Sequence, residues 1–136
     1  MLSGWFSKSS SKTITKKTVL ENFGIGIDIV DVQRFEQIKF QDKPTFYKKL
    51  FHQSEIKYCL KYKNPSQHFA GKFASKEALK KSIKKQVSFL DIETTHHKSR
   101  PIIRLRNAKF GKYNFLVSIS HEKKFAIAIV ISEKKI

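Results

Sequence analysis

The sequence predicts a single α+β domain, an antiparallel sheet packed with one long helix and several shorter ones. Apolar residues alternate with small or polar ones near residue 25 and again after residue 87, whereas between these regions they recur every three or four positions. The chain is also 136 residues long, enough for one hydrophobic core but not for two ordinary ones. With 12 phenylalanines it carries enough apolar bulk to fill that core.

Residues 1 to 22 read as a basic, flexible leader with Ser9-Ser10-Ser11 and only one large apolar pair, Trp5 and Phe6. The domain itself is expected over residues 23–136. In Gly24-Ile25-Gly26-Ile27-Asp28-Ile29 the period of two predicts a strand with the isoleucines on one face and Asp28 on the other. From Asp31 to Phe40 the spacing of Val32, Phe35 and Ile38 predicts a helix. Pro44 interrupts it, and Phe46, Leu50 and Phe51 suggest a further short helix. Ile56, Cys59 and Leu60 then share one helical face, which makes the single cysteine a core residue.

Asn64-Pro65 is a helix start, with Asn64 able to cap and Pro65 suited to the first turn, and a long helix is expected from Pro65 to Ile83. The remainder predicts strands over Val87–Thr94, Ile102–Arg106, Phe115–Ser120 and Phe125–Ser132. His121 to Lys124 is short enough to join the last two as an antiparallel hairpin. The final strand is apolar on both faces and should be central or covered. No internal repeat is evident.

Charge narrows the partner but does not choose it. With 28 Lys and Arg against 11 Asp and Glu, the chain carries +17, which suits a nucleic acid, an anionic membrane surface, a phosphorylated cofactor or an acidic protein. One cysteine allows no internal disulfide, and no apolar run has the length of a signal peptide or a membrane span. These features predict a soluble cytoplasmic protein.

Two acids stand in apolar settings. Glu77 lies one turn from Phe73 and Ala74, with Lys81 one turn further on, and Asp28 sits inside an isoleucine strand. A desolvated carboxylate needs a cation, a hydrogen bond or an ion pair. An exposed Glu77–Lys81 pair, and an Asp28 that faces water or caps the next helix, would meet that need. A shared hard cation would meet it too, since magnesium takes one or two carboxylates together with water and phosphate oxygens.

Gly24-Ile25-Gly26-Ile27-Asp28-Ile29-Val30-Asp31 with Arg34, and Phe69-Ala70-Gly71-Lys72-Phe73-Ala74-Ser75-Lys76-Glu77-Ala78, resemble the two signature segments of the holo-acyl-carrier-protein synthases, members of the 4'-phosphopantetheinyl transferase superfamily. Asp91-Ile92-Glu93 and Ser118-Ile119-Ser120-His121 are similar to that family's internal strand and closing motif, in the same order. The resemblance implies transfer of 4'-phosphopantetheine from coenzyme A to a serine of an acidic apo-acyl carrier protein, with release of adenosine 3',5'-bisphosphate. It also implies a homotrimer with active sites between subunits.

On the same resemblance, Asp28 and Glu77 would hold Mg2+ on the coenzyme's diphosphate, and Lys81 would neutralise the phosphate under attack. The serine proton would go to Glu77 or to water. Lys72, Lys76 and His121 would contact coenzyme A, and Arg34 would meet the carrier protein unless it pairs with Asp31 or Glu36. Lys72 stands where the family often has arginine. A glycine-rich turn after the long helix is replaced by Ser82-Ile83-Lys84-Lys85-Gln86, and a glycine-lysine-proline turn by Ser99-Arg100-Pro101. The rival class is a small basic RNA-binding module that uses exposed Tyr58 and Tyr62. It leaves Asp28 and Glu77 unexplained, so nucleic acid is not the expected partner. A catalytically inactive carrier-protein binder is the remaining alternative.

Overall fold

The computed structural model describes residues 19–136. Trp5, Phe6 and the serine run of the expected leader therefore lie outside the described residues. Val19–Asn22 form a 3-10 turn, so the last four residues assigned to that leader are folded against the domain.

Strand β1 (Phe23–Asp31) leads into three short helices, α1 (Gln33–Gln37), α2 (Pro44–Lys48) and α3 (Gln53–Leu60), and then the long α4 (Pro65–Ser82). Strands β2 (Ile92–His97), β3 (Arg100–Leu105), β4 (Tyr113–His121) and β5 (Phe125–Lys134) complete the chain. One antiparallel sheet has the order β1-β5-β4, and β2 and β3 form a separate antiparallel hairpin. The expected α+β architecture is present, with the sheet divided in two.

Strand β5 is central, as its apolar character requires, but only one of its faces is covered. Ala126, Ala128 and Val130 are fully buried under α4, while Phe125, Ile127, Ile129 and Ile131 point outward. Opposite them in register stand Ile29, Ile27 and Ile25 of β1. Together with Leu116 of β4 these residues make an open apolar face; Ile25 is 68% and Leu116 71% exposed. An apolar surface of this kind marks an interaction site.

The core beneath the other face is aromatic. Phe35 packs against Phe46, Tyr47, Phe51, Phe69 and Phe73 with ring centroids 5.7–6.5 Å apart, contacts worth about 0.5–1.5 kcal/mol each beyond their burial. Cys59 is fully buried beside them, and burial raises its thiol to about 12, so it is an inert core group.

Helix α1 and strand β2 differ from expectation in extent, and α4 in its cap. Helix α1 ends at Gln37 because the buried Tyr47 hydroxyl donates to the carbonyls of Phe35 and Ile38, taking up acceptors that a longer helix would use internally. The strand expected from Val87 begins only at Ile92, because Ser88 donates from its N and Oγ to Asp91 Oδ2 and winds Phe89–Asp91 into a 3-10 turn. Asn64 holds the position before α4, but its side chain makes no capping hydrogen bond; Pro65 supplies the start.

Candidate active site

Two glycines let β1 lie directly on α4. A Cβ on Gly24 would come 1.8 Å from the Ser82 carbonyl oxygen, and one on Gly26 would come 1.9 Å from that of Ala78. Two strand residues advance about 6.6 Å and four helical residues about 6 Å. The pairing of Gly24 with Ser82 and of Gly26 with Ala78 fixes how β1 crosses α4, and Asp28, the next inward position, meets a side chain of that helix.

Asp28 is only 15% exposed and takes Lys81 Nζ on its Oδ1 at 3.1 Å. The same ammonium donates to the Ile27 carbonyl at 3.1 Å. Its stem can reach because Gly26, beneath the Lys81 Cβ, has no side chain to block it. The alternative Glu77–Lys81 pair does not form: Lys81 crosses to β1, and Glu77 has Lys80 as partner at 3.6 Å. That contact is half exposed and loose, so it leaves Glu77 largely uncommitted.

A second cluster occupies another side of α4. Lys72 is 4% exposed; its Nζ donates to Thr94 Oγ1 at 2.9 Å and lies 4.6 Å from the Tyr58 ring centre. It opens on a cavity of about 290 Å³ also lined by Tyr62, His68, His96 and His121. His68 stacks on Tyr62 at 3.7 Å and meets the His121 ring at 5.0 Å. Burial, reinforced by the neighbouring His121, His96 and Lys72, lowers the His68 imidazole to about 4, so it is neutral at physiological pH. Lys72 likewise falls below its ordinary value, chiefly through burial.

Sequence reasoning was wrong about Lys76. Its ammonium is completely buried, ion-paired with Glu55 at 2.8 Å and donating to the Leu50 and Phe89 carbonyls. All three of its protons are committed inside the protein, so it cannot contact a coenzyme. Glu55 is the matching discovery. Its Oε1 accepts from Lys76 Nζ and the His52 amide, and its Oε2 from the amide and hydroxyl of Thr94. Burial alone would raise its carboxyl, but Lys76 and these hydrogen bonds outweigh burial and hold it below the ordinary range. The only signal in the sequence was an acid one turn from Cys59, on the face read as core.

Arg34 is exposed on α1, with its guanidinium 5.0 Å from the Phe73 ring centre. Among the described residues it pairs with neither Asp31 nor Glu36; Asp31 instead accepts the Gln33 amide. Where the glycine-rich turn was missed, Lys85 Nζ donates to the Phe110 carbonyl at 2.7 Å and ties the segment down. Tyr58, expected to be exposed, is partly buried and stacked on His96 at 4.4 Å.

The sequence-predicted residues therefore fall into two groups. Glu77 is five residues beyond Lys72 on α4, so the two side chains leave the helix about 140° apart. One group is Asp28, Glu77 and Lys81; the other is Lys72 and His121.

A three-stranded antiparallel sheet packed on one long helix, with Asp28 and Lys81 joined where β1 crosses it, is the frame of the site. Residues 24–130 match the model described as the 4'-phosphopantetheinyl transferase superfamily, and the chain belongs to that family. Within it the chain is an enzyme of the holo-acyl-carrier-protein synthase type. It is 38% identical over 121 residues to the holo-[acyl-carrier-protein] synthase of Caldicellulosiruptor bescii, covering 82% of this chain and 98% of that protein. The Bacillus anthracis synthase, solved in complex with CoA (3',5'-ADP), superposes with a TM-score of 0.70 at 32% identity, covering 82% of this chain and 96% of that one. The Helicobacter pylori synthase, solved with coenzyme A, gives 0.68 at 38% identity, covering 80% and 99%.

Among the described residues no group of three or more His, Cys, Asp or Glu could hold a metal. Two carboxylates, as Asp28 and Glu77 would supply, make a small donor set. That fits magnesium, which completes its octahedron with water and substrate phosphate, and would not fit a metal that needs an all-protein cage. Among the described residues no helix is long and apolar enough to cross a membrane.

Proposed function

We propose that this enzyme transfers 4'-phosphopantetheine from coenzyme A to a serine of an acidic apo-acyl carrier protein, with adenosine 3',5'-bisphosphate as the leaving group. The observation that supports the reading most is the Asp28–Lys81 contact where β1 lies on α4, on the helix that also carries Glu77. The serine oxygen forms a bond to the phosphorus that bears pantetheine. The bond from that phosphorus to the bridging oxygen breaks, and its electrons leave with the bisphosphate.

Asp28 and Glu77 would hold Mg2+, which when bound supplies positive charge against the diphosphate. Lys81, 56% exposed at its side chain, can swing from Asp28 to the phosphoryl oxygens and neutralise charge there. Glu77, only loosely engaged by Lys80, is the carboxylate this chain offers to accept the serine proton. Lys72 and His121 are the contacts for the coenzyme's phosphates. Arg34, exposed and free of Asp31 and Glu36, is the contact for the acidic carrier protein.

The two groups diverge by about 140° around α4, so one subunit does not close both onto a single ligand. A homotrimer would: subunits packed through the open isoleucine face can bring Lys72 and His121 of one against Asp28 and Glu77 of the next. The buried free Cys59 suits a reducing compartment, so the cytoplasm is the expected place of action.

Mixing the protein with apo-carrier protein, coenzyme A and magnesium should add the mass of phosphopantetheine to the carrier. Glu77→Gln should abolish that gain. A variant with undiminished turnover removes Glu77 from the mechanism, and carrier binding without any mass gain would identify an inactive binder.

A further inference from the structure

Lys72 presents an unusual arrangement: an ammonium group buried almost completely, yet with one hydrogen-bond acceptor, Thr94 Oγ1. Lysine has three protons to donate and a flexible stem with no preferred direction. Something must aim it. The charged end also meets the Tyr58 ring, which attracts a cation without fixing the direction of its N–H bonds.

Thr94 is itself held. Its hydroxyl has one proton, and that proton is donated to Glu55 Oε2 at 2.7 Å, beside the Thr94 amide, which reaches the same oxygen at 2.7 Å. An ionised carboxylate can only accept, so the direction of the hydroxyl bond is fixed, and the oxygen's lone pairs are turned to Lys72. Glu55 in turn is kept ionised and immobile by Lys76 and by the His52 amide on its other oxygen. The chain of donors runs from α4 to β2 to α3 and is buried throughout.

We infer that Thr94, oriented by Glu55, is a positioning residue for coenzyme binding, which holds the Lys72 ammonium so that its two remaining N–H bonds face the cavity where a phosphate group of the coenzyme sits. The inference rests on the reading that Lys72 contacts coenzyme A, and it adds residues that need not touch the ligand. It also accounts for a lysine at a place where the resemblance leads one to expect arginine. A guanidinium carries its donors in a rigid fork, whereas an ammonium must borrow its direction from a neighbour.

The test is steady-state transfer with coenzyme A varied at saturating carrier protein, for Thr94→Val, Thr94→Ser and Lys72→Met. Thr94→Val removes the acceptor and should raise KM for coenzyme A about tenfold with kcat within about twofold, because the affected interaction is a hydrogen bond to a charged group. Thr94→Ser keeps the hydroxyl and should restore the original KM. Lys72→Met should raise KM at least as far as Thr94→Val does. If Lys72→Met raises KM and Thr94→Val does not, the positioning role is refuted while the coenzyme contact stands. If Lys72→Met leaves KM unchanged, the coenzyme contact itself is wrong. A fall in kcat for Thr94→Val that Thr94→Ser also shows would mark a merely structural position and refute the inference. Should Thr94→Val fold poorly, Thr94→Ala carries the same comparison.

Discussion

Gly26→Ala puts the crossing of β1 and α4 under direct strain. The new methyl would sit 1.9 Å from the Ala78 carbonyl oxygen, 2.9 Å from its carbon and 3.0 Å from the Lys81 Cβ. Ordinary contact begins near 3.4 Å, so strand and helix must separate by about 1.5 Å, and backbone on both sides leaves no flexible end to yield. Overpacking of this kind costs about 1–3 kcal/mol, occasionally more. The same opening moves Asp28 away from Lys81 and the Glu77 turn, and a misplacement of about 1 Å can cost about 100-fold in rate. Turnover measured by carrier-protein mass should therefore fall by about 100-fold, alongside a lower melting temperature. Wild-type turnover and melting in Gly26→Ala would refute the claim that this close approach builds the site.

Lys76→Met leaves the Glu55 carboxylate buried without its cation and should cost about 3–5 kcal/mol in denaturant unfolding, as the loss of one partner of a buried pair does. Glu55 is held below its ordinary value near 4.5, so its contribution to stability is fully present above that value and is lost as pH falls through the lower folded value. Glu55→Gln should flatten this acid limb of the melting profile, and an unchanged limb would show that other carboxyls govern it. Ser99 holds φ at +67° in the β2–β3 turn, a conformation that costs a non-glycine residue about 1–2 kcal/mol; Ser99→Gly should raise the melting temperature, and a fall would show that the turn is not strained. Ile129→Glu, in the middle of the open sheet face, should give monomers by analytical ultracentrifugation and abolish transfer; an unchanged mass would separate that face from assembly.

Much of the fold was legible because each element obeys a local rule. Alternation gave β1, β4 and β5, and Asn64-Pro65 gave the start of α4, although proline alone does the work there. What local rules could not show were side chains that settle against distant parts of the chain. Tyr47 stops α1 from ten residues away, and Ser88 with Asp91 replaces the first half of an expected strand. The site divides in the same way. Asp28 and Lys81 meet because β1 lies close on α4 through Gly24 and Gly26, glycines that the sequence already displays. Lys76 resembled its neighbours in the signature segment, and only the third dimension places Glu55 against it. The Tyr62–His68 and Tyr58–His96 stacks bring together residues up to 38 apart in the chain, so nothing in the order of the sequence announced them.

Because α4 displays Glu77 and Lys72 on divergent flanks, each copy of the helix would serve a pair of reaction centres, giving Glu77 to one and Lys72 to the other. In the proposed homotrimer, damage to one copy would be shared between neighbours, and two differently crippled copies would repair each other. If a homotrimer forms in that way, a preparation unfolded and refolded from equal amounts of Glu77→Gln and Lys72→Met chains would contain some centres with neither defect, and at low coenzyme A would exceed the mean activity of its parents.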